Sequence, residues 1–248
     1  MTVTLRAGDA ALTVDPDRGA RWTSWRVGDL ELLSAPREPL ARAFDRGCFV
    51  MAPIAGRDGR RSPPAIHGTV ADVVWRHDHV GRHALDATAS GDGFTVHQRL
   101  RLHADRLESE LGLRAQRALD AWIGHHPYFA RRLARGGDAA WRLDGGTQYV
   151  RGDDHLPTGE LTEPKPGPWD DAFRDFATPP AIEWPDALTL TVHSSHRHFV
   201  LYDEKPEVVC LEPQTAPPDA ARLGEATHLR GGEELTLAVT WRWALTRR

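Results

Sequence analysis

Phe94-Thr95-Val96-His97-Gln98-Arg99-Leu100-Arg101-Leu102-His103 is the stretch that decides the fold class of this 248-residue chain. Its apolar side chains, at positions 94, 96, 100 and 102, alternate with polar ones. Successive side chains of a β-strand point to opposite faces of a sheet, so a period of two indicates one buried face and one wet face. The stretch therefore predicts a half-buried strand.

The same alternation recurs elsewhere in the chain. Leu107, Leu111 and Leu113 alternate with charged residues, and residues 235–243 alternate as cleanly. Pairs such as Gly8-Asp9 are typical of the tight turns that join neighbouring strands. Further strands are expected at three segments, 188–193, 197–203 and 206–212.

Signs of helix are scarce. No long amphipathic helical pattern is evident, and residues 130–186, rich in Gly, Pro and Asp, are expected to form long loops. Many short strands separated by turn signals favour an antiparallel β-sandwich or barrel with few short helices. Sandwiches of this size often fold as one unit, so we expect a single all-β domain over residues 1–248.

The composition excludes several classes of function. A formal net charge of −4 argues against a general binder of nucleic acid or anionic membranes. Two cysteines, Cys48 and Cys210, do not make a disulfide framework in a chain of this length. The first residues lack the apolar core of a signal peptide, and no apolar run approaches the roughly 20 residues of a membrane span. These features favour a cytoplasmic protein.

Two ionisable residues each stand directly before a proline at the end of an apolar run. His126 precedes Pro127, and Glu212 precedes Pro213. Proline disfavours the α conformation of the residue before it, so both side chains are expected on extended backbone. Imidazole exchanges protons most readily near neutral pH, so His126 and Glu212 are a candidate acid and base. Each could also be an ordinary strand residue.

Other residues are weaker candidates when they are taken alone. Arg57 lies in a Gly- and Arg-rich loop that could approach a ligand, and His67 follows in a second bend. Asp170 and Asp171 could bind hydroxyl groups or cap a turn. A metal site at His193, His196 and His198 is disfavoured, because His193 falls on the other strand face and no cysteine or acidic partner has zinc-site spacing nearby.

Taken together, these stretches resemble the aldose 1-epimerase (galactose mutarotase) family. The matching motifs follow one another along nearly the whole chain: Gly56-Arg57, His67-Gly68 with Trp75, Gly124-His125-His126-Pro127-Tyr128-Phe129, Leu156-Pro157-Thr158-Gly159-Glu160, Asp170-Asp171-Ala172-Phe173 and Glu212-Pro213-Gln214-Thr215. The resemblance implies an antiparallel β-sandwich of the galactose mutarotase-like type that interconverts the α and β anomers of a sugar without a metal or redox cofactor.

The resemblance also implies roles for single residues. Glu212 matches the general base, His126 the general acid, and Arg57 and His67 the groups that bind sugar oxygens. Asp170 matches a hydroxyl-binding carboxylate, with Asp171 as the alternative. The acid and the base are expected to face one another across a pocket that holds one pyranose.

Three functions stay open at this point. The first is anomer exchange of a free hexose or related aldose. The second is the same reaction on a phosphorylated sugar, with phosphate contacts from Arg57, Arg60 and Arg61, since arginine suits bidentate phosphate recognition. The third is a non-catalytic carbohydrate-binding protein, because a fold alone does not establish function. In each case the partner is a small-molecule sugar, and the protein is expected to be a monomer or homodimer.

Overall fold

The computed structural model describes residues 2–35, 44, 46–60 and 65–246. Within these residues the chain is built almost entirely of strands, with one 3-10 turn at Pro16–Arg18 and one short α-helix, α1, at Ala220–Leu223. In chain order the strands are β1 Val3–Ala7, β2 Ala10–Asp15, β3 Arg21–Val27, β4 Leu30–Glu31, β5 Cys48–Met51, β6 Arg57–Asp58, β7 Ala65–Ile66, β8 Arg76–Val80, β9 Ala84–Gly91, β10 Phe94–Leu102, β11 Arg106–Ala115, β12 Leu119–Ala121, β13 Gly124–Pro127, β14 Phe129–Ala130, β15 Ala140–Arg142, β16 Gly145–Arg151, β17 Pro157–Thr162, β18 Asp170–Phe176, β19 Ala181–Trp184, β20 Leu188–Ser194, β21 His198–Tyr202, β22 Val208–Gln214, β23 Thr227–Leu229 and β24 Glu234–Leu245.

Two large sheets form the body of the fold. A 12-stranded sheet runs in the order β1-β2-β3-β5-β13-β22-β21-β18-β16-β17, with β4 and β14 at its sides. An 8-stranded sheet runs in the order β15-β19-β20-β24-β11-β10-β9-β8. Neighbouring strands in the described part of both sheets are antiparallel, as in the β10–β11 and β21–β22 pairs. The predicted all-β antiparallel fold is confirmed.

Strand β10 has the half-buried character that its sequence predicts. Phe94, Val96, Gln98, Leu100 and Leu102 are buried, and the residues that alternate with them are partly or fully exposed. Gln98 occupies the one polar position on the buried face. Its Oε1 accepts a hydrogen bond from the indole of Trp22 at 2.6 Å, and its amide nitrogen donates to the Ala20 carbonyl at 3.3 Å. A buried amide is tolerated here because both of its ends are bonded.

The two sheets pack face to face through an aromatic cluster. Trp241, from β24 of the 8-stranded sheet, lies 5.8 Å from Trp22 and 6.1 Å from Trp25, both in β3 of the 12-stranded sheet. Trp243 lies 5.8 Å from Trp25. All four indoles belong to one continuous apolar core that draws on both sheets. This shared core makes the architecture a sandwich.

The expectation of long loops over residues 130–186 is wrong. This region carries five strands, β15 to β19, and β16 and β18 lie inside the path of the 12-stranded sheet. Their sequences, GGTQYVR and DDAFRDF, contain glycine and charged residues at positions that face a cleft or solvent. Strand propensity is low for those residues, so pairing with neighbouring strands outweighs the local preference.

The sheet order places the site. Strands β13 and β22 are adjacent, and they continue through β21 to β18. One face of these strands packs on the core, and the other is partly covered by the β6–β7 hairpin and by the segment around α1. No helix among the described residues is long and apolar enough to cross a membrane.

Candidate active site

A cleft of about 210 Å³ opens on the outer face of the 12-stranded sheet. All five residues that the sequence singles out as site candidates line it: Arg57, His67, His126, Asp170 and Glu212. They come from β6, the turn after β7, β13, β18 and β22. The antiparallel sheet therefore brings together side chains that are more than 150 residues apart in the chain, as Arg57 and Glu212 are.

His126 and Glu212 are in direct contact. His126 Nε2 lies 3.4 Å from Glu212 Oε1. The contact follows from the pairing of β13 with β22, in which Gly124 is opposite Gln214. Glu212 lies two residues before Gln214 in β22, and His126 lies two residues after Gly124 in β13. The side chains of both residues therefore point to the same face of the sheet, which is the cleft face. The expectation that they face one another across a sugar ring is wrong, because adjacent strands hold them side by side on the cleft floor.

The imidazole of His126 is held between aromatic rings. The ring of Tyr128 stacks on it at 4.6 Å with an interplanar angle of 14°, and Phe49 lies on it at 4.8 Å. The ring of His67 meets it edge-on at 4.9 Å. Burial in this apolar cage, reinforced by nearby positive charge, holds the pKa of His126 well below its ordinary value of 6.5. The cage thus fixes the plane of the ring and favours its neutral form.

The carboxyl of Glu212 is buried beside an amide. The side chain of Gln214 donates from Nε2 to Glu212 Oε2 at 3.2 Å. Burial raises the pKa of Glu212 well above its ordinary value of 4.5, the charge of Asp170 raises it further, and the Gln214 hydrogen bond opposes both. Because burial penalises both charged forms, His126 and Glu212 favour an uncharged pair that shares one proton.

The β6–β7 hairpin brings Arg57 and His67 to the cleft. Arg57 is exposed at the cleft wall, opposite Ile66 in the hairpin register. His67 has φ of 55°, and its backbone N–H donates to the Gly56 carbonyl at 2.7 Å. Burial of the ring, with a smaller effect of the Arg57 charge, lowers the pKa of His67 to about 3. His67 is therefore a neutral hydrogen-bonding group at pH 7.

Asp170 and Asp171 lie on opposite faces of β18. Asp170 pairs with Tyr202, which in turn pairs with Cys210, so all three share the face that carries Glu212. It lies at the cleft rim, where desolvation and then the charge of Glu204 raise its pKa. Asp171 is on the other side of the strand by alternation, yet it also lines the cleft, where its Oδ1 lies 3.5 Å from Arg151 Nε. The register thus places Asp170, of the two, in the row that faces a bound ligand.

Several cleft residues were not singled out from the sequence. Tyr128 and Gln214 each follow a candidate by two positions, so strand alternation could have identified them. Tyr149, Arg151 and Lys205 also line the cleft. They belong to none of the quoted motifs, and no local signal identifies them. They reach the cleft because β16, and the turn after β21, lie beside it in the sheet.

Two other groups that the sequence analysis considered are the arginines after Arg57 and the histidines at positions 193, 196 and 198. Arg60 forms ion pairs with Asp58 and Asp120, each at 2.9 Å, and does not line the cleft; Arg61 lies outside the described residues. Of the three histidines at 193, 196 and 198, only His198 is buried. Its Nε2 lies 3.3 Å from the Tyr149 hydroxyl, and its Nδ1 lies 3.2 Å from the Thr215 carbonyl.

Comparison with known proteins supports the fold strongly and the sequence relationship weakly. No family model and no curated protein matches the chain. Among solved structures, a candidate aldose 1-epimerase from Escherichia coli K12 has a TM-score of 0.84 at 20% identity, covering 99% of both chains.

Two further solved structures are similar over their whole length. The galactose 1-epimerase of Lactobacillus acidophilus NCFM has a TM-score of 0.81 at 17% identity, covering 98% of this chain and 94% of that one. An aldose epimerase homologue from C. elegans has a TM-score of 0.85 at 11% identity, covering 100% and 99%. The chain has the galactose mutarotase-like fold, and the resemblance read from its motifs is confirmed at the level of fold.

Proposed function

We propose that this protein is an aldose 1-epimerase that interconverts the α and β anomers of a free hexose or a related aldose. The observation that carries the proposal is the 3.4 Å contact between His126 Nε2 and Glu212 Oε1 at the floor of a small cleft. Anomer exchange moves a proton off the C1 hydroxyl and another onto the ring oxygen. Both oxygens are bonded to C1, so a proton acceptor and a proton donor that are close neighbours match them.

The reaction needs only the two residues and the sugar. Ring opening starts from the ion-paired form of the pair, in which the shared proton is on His126. The carboxylate of Glu212 takes the proton of the C1 hydroxyl, His126 gives its proton to the ring oxygen, and the bond from C1 to that oxygen breaks. The open-chain aldehyde then rotates about the C1–C2 bond. In ring closure His126 removes the proton from the attacking hydroxyl, and Glu212 returns one to the aldehyde oxygen.

The environment of His126 and Glu212 favours the protonation states that the two residues have after ring opening. Ring opening leaves a carboxylic acid and a neutral imidazole, which are the forms that burial stabilises when it lowers the pKa of His126 and raises that of Glu212. Each positioned proton transfer contributes about 10²–10⁴-fold to the rate. The neutral His67 and the Asp170 carboxyl line the cleft and would bind hydroxyl groups of the sugar, and Arg57 would offer donors in a fixed plane.

Substitution of the pair tests the proposal. Glu212→Gln and His126→Ala should each slow the anomer exchange of α-glucose, followed by polarimetry or NMR, by at least tenfold and by about 10²–10⁴-fold if each proton transfer is lost in full. Glu160→Gln and His193→Ala make comparable changes at exposed positions outside the cleft and should leave the rate unchanged. Wild-type rates in both cleft variants would contradict the mechanism. Sugar binding by a wild-type protein that leaves exchange at the solvent rate would instead support the non-catalytic reading.

A phosphorylated aldose is a second candidate substrate. It is favoured by three cations that line the cleft, Arg57, Arg151 and Lys205. Of the arginines expected to bind phosphate, Arg57 lines the cleft and Arg60 does not, and Arg61 lies outside the described residues. Comparison of kcat/KM for glucose and glucose 6-phosphate separates the two substrates, and Lys205→Met should lower only the second value. A cytoplasmic location and a monomeric or homodimeric state stay predictions, to be checked by cell fractionation and sedimentation.

A further inference from the structure

Three side chains of the kinds that bind metals converge at the cleft floor. The ligand atoms of His126, Cys210 and Glu212 all lie within 4.8 Å of one another. Cys210 precedes Glu212 by two residues in β22, so strand alternation directs both side chains to the same face. His126 reaches them from the adjacent strand β13. The three groups therefore stand on paired strands, whose positions vary less than those of loops.

The spacing suits a small tetrahedral cation. Zinc bonds of about 2.0–2.2 Å to nitrogen and oxygen place two ligands of a tetrahedron about 3.3–3.5 Å apart. His126 Nε2 and Glu212 Oε1 are 3.4 Å apart. Cys210 Sγ lies within 4.8 Å of both other ligand atoms, and its thiol would move toward them to complete a zinc–thiolate bond of about 2.3 Å.

One coordination position would stay open to the cleft. His126 and Glu212 line the cleft, whereas Cys210 is fully buried and lies outside its lining. A cation held by all three would therefore have protein ligands beneath it and a water molecule or a sugar hydroxyl above it. Three protein ligands with an open fourth position are typical of accessible zinc sites rather than of closed structural ones.

The site can also balance the charge of a bound cation. Glu212 is 3% exposed, and within the described residues its side chain forms an ion pair only with His126. On binding, Glu212 and Cys210 would each give up a proton, and the divalent cation would balance the two negative charges formed in the buried site. A thiolate with an imidazole selects zinc-like cations over Mg²⁺ or Ca²⁺.

We propose that His126, Cys210 and Glu212 bind one Zn²⁺ ion and that the bound ion inhibits the protein. The binding site stands on its own geometry. The inhibition rests on the proposed function, because the cation would occupy the acid and the base of anomer exchange. Chelation would then restore the reaction, so the site would respond to the supply of free zinc.

Cobalt substitution tests the site without reference to activity. The full chain, freed of metal with EDTA and titrated with Co²⁺, should develop a thiolate-to-cobalt charge-transfer band at one equivalent, and one equivalent of Zn²⁺ should remove it. Cys210→Ser should abolish the band and weaken Zn²⁺ binding at least tenfold. Cys48→Ser, the matched change at the other buried free cysteine, should retain both. The absence of a thiolate band, or a band that persists in Cys210→Ser, overturns the proposal.

A second variant keeps the test decisive should Cys210→Ser fail to fold. Glu212→Gln preserves the size of the side chain and should raise the Kd for Zn²⁺ at least tenfold, measured by competition with a chromophoric chelator. An unchanged Kd overturns the site. Anomer exchange is measured in parallel, where one equivalent of Zn²⁺ should abolish it reversibly. Exchange that persists in the zinc-loaded protein overturns the inhibition, whereas a wild-type chain with no exchange at all counts against the proposed function and leaves the cobalt result to decide the site.

Discussion

Two adjacent histidines in β13 occupy opposite environments. His126 faces the cleft, whereas His125 points into the core, where its ring lies 5.2 Å from Trp22 and 6.2 Å from Trp241. Within the described residues neither ring nitrogen of His125 has a hydrogen-bond partner. Burial lowers its pKa to about 3, so it stays neutral at pH 7. A buried polar group with no partner costs about 1–3 kcal/mol.

Replacing His125 should therefore stabilise the protein. His125→Leu removes two unpaired nitrogens and keeps a similar volume, and we expect the free energy of unfolding in urea to rise by about 1 kcal/mol. Gln98→Leu is the matched control with the opposite sign. It should lower the free energy of unfolding, because it leaves the indole N–H of Trp22 without its acceptor. A loss of stability in His125→Leu comparable to that of Gln98→Leu would show that the imidazole ring of His125 stabilises the fold.

The shared proton of His126 and Glu212 should shape the pH dependence of anomer exchange. The lowered pKa of His126 means that the pair takes up a second proton only well below pH 6.5, and the raised pKa of Glu212 means that it loses its last proton only well above pH 4.5. We therefore expect kcat/KM to show no loss on the acid side at pH 6.5, and in Glu212→Gln the alkaline limb should move to lower pH, where His126 alone loses its proton. A wild-type acid limb centred at pH 6.5 would contradict this account.

At the scale of elements, the turn after β7 depends on a glycine that packs against the residue following β5. Gly68 follows His67 and has φ of 74°. A Cβ added there would lie 1.9 Å from the Ala52 carbonyl oxygen, which a real structure cannot accept. The close contact between Gly68 and the Ala52 carbonyl fixes the turn that positions His67 at the cleft.

Gly68→Ala should accordingly lower both stability and anomer exchange, because the clash must displace backbone next to His67. Gly28→Ala is the control, since Gly28 also has positive φ, 61°, but nothing lies within 4 Å of its added Cβ. That control should cost only the conformational strain of about 1 kcal/mol and leave the rate unchanged. Thermal denaturation and polarimetry measure the two effects. Equal losses in the two variants would mean that the close approach at Gly68 is relieved without consequence.

At the scale of the whole molecule, the two sheets are joined through Trp241. Its indole contacts aromatic rings of the opposite sheet, among them Trp22 at 5.8 Å and Phe129 at 6.2 Å. Its N–H donates to Ser109 Oγ at 3.1 Å within its own sheet. Because both sheets share this core, we propose that residues 1–248 unfold as one domain.

Trp241→Ala should reduce the free energy of unfolding by about 3–5 kcal/mol, the usual cost of deleting a large buried aromatic side chain. Trp141→Ala, at a partly buried position on the edge strand β15, should cost less. Calorimetry of the wild-type chain should show a single transition, and Trp241→Ala should lower its temperature without dividing it. Two separated transitions, only one of them shifted, would show that the sheets unfold independently.

The fold was more predictable than the site because strands can be recognised from neighbouring residues, whereas the site depends on contacts between distant segments. Strands such as β10 and β24 can be predicted because apolar and polar residues alternate within their own sequences. Strands β16 and β18 do not show this alternation, since their glycines and aspartates have low strand propensity when the segments are considered in isolation. Arg151 and Lys205 reach the cleft through sheet order alone, and no local pattern in the sequence carries that order.

The sequence by itself determined the all-β class, the hairpin turns and the ionisable residues that stand before prolines, because these depend on side-chain period and local backbone sterics. Only the tertiary structure decided that β13 and β22 are neighbours. That pairing sets His126 and Glu212 side by side rather than across a sugar, places Asp170 rather than Asp171 in their row, and brings Cys210 within reach. Strand order in an antiparallel sheet is fixed by how distant segments bury their shared core, a property of the whole chain that no single segment contains.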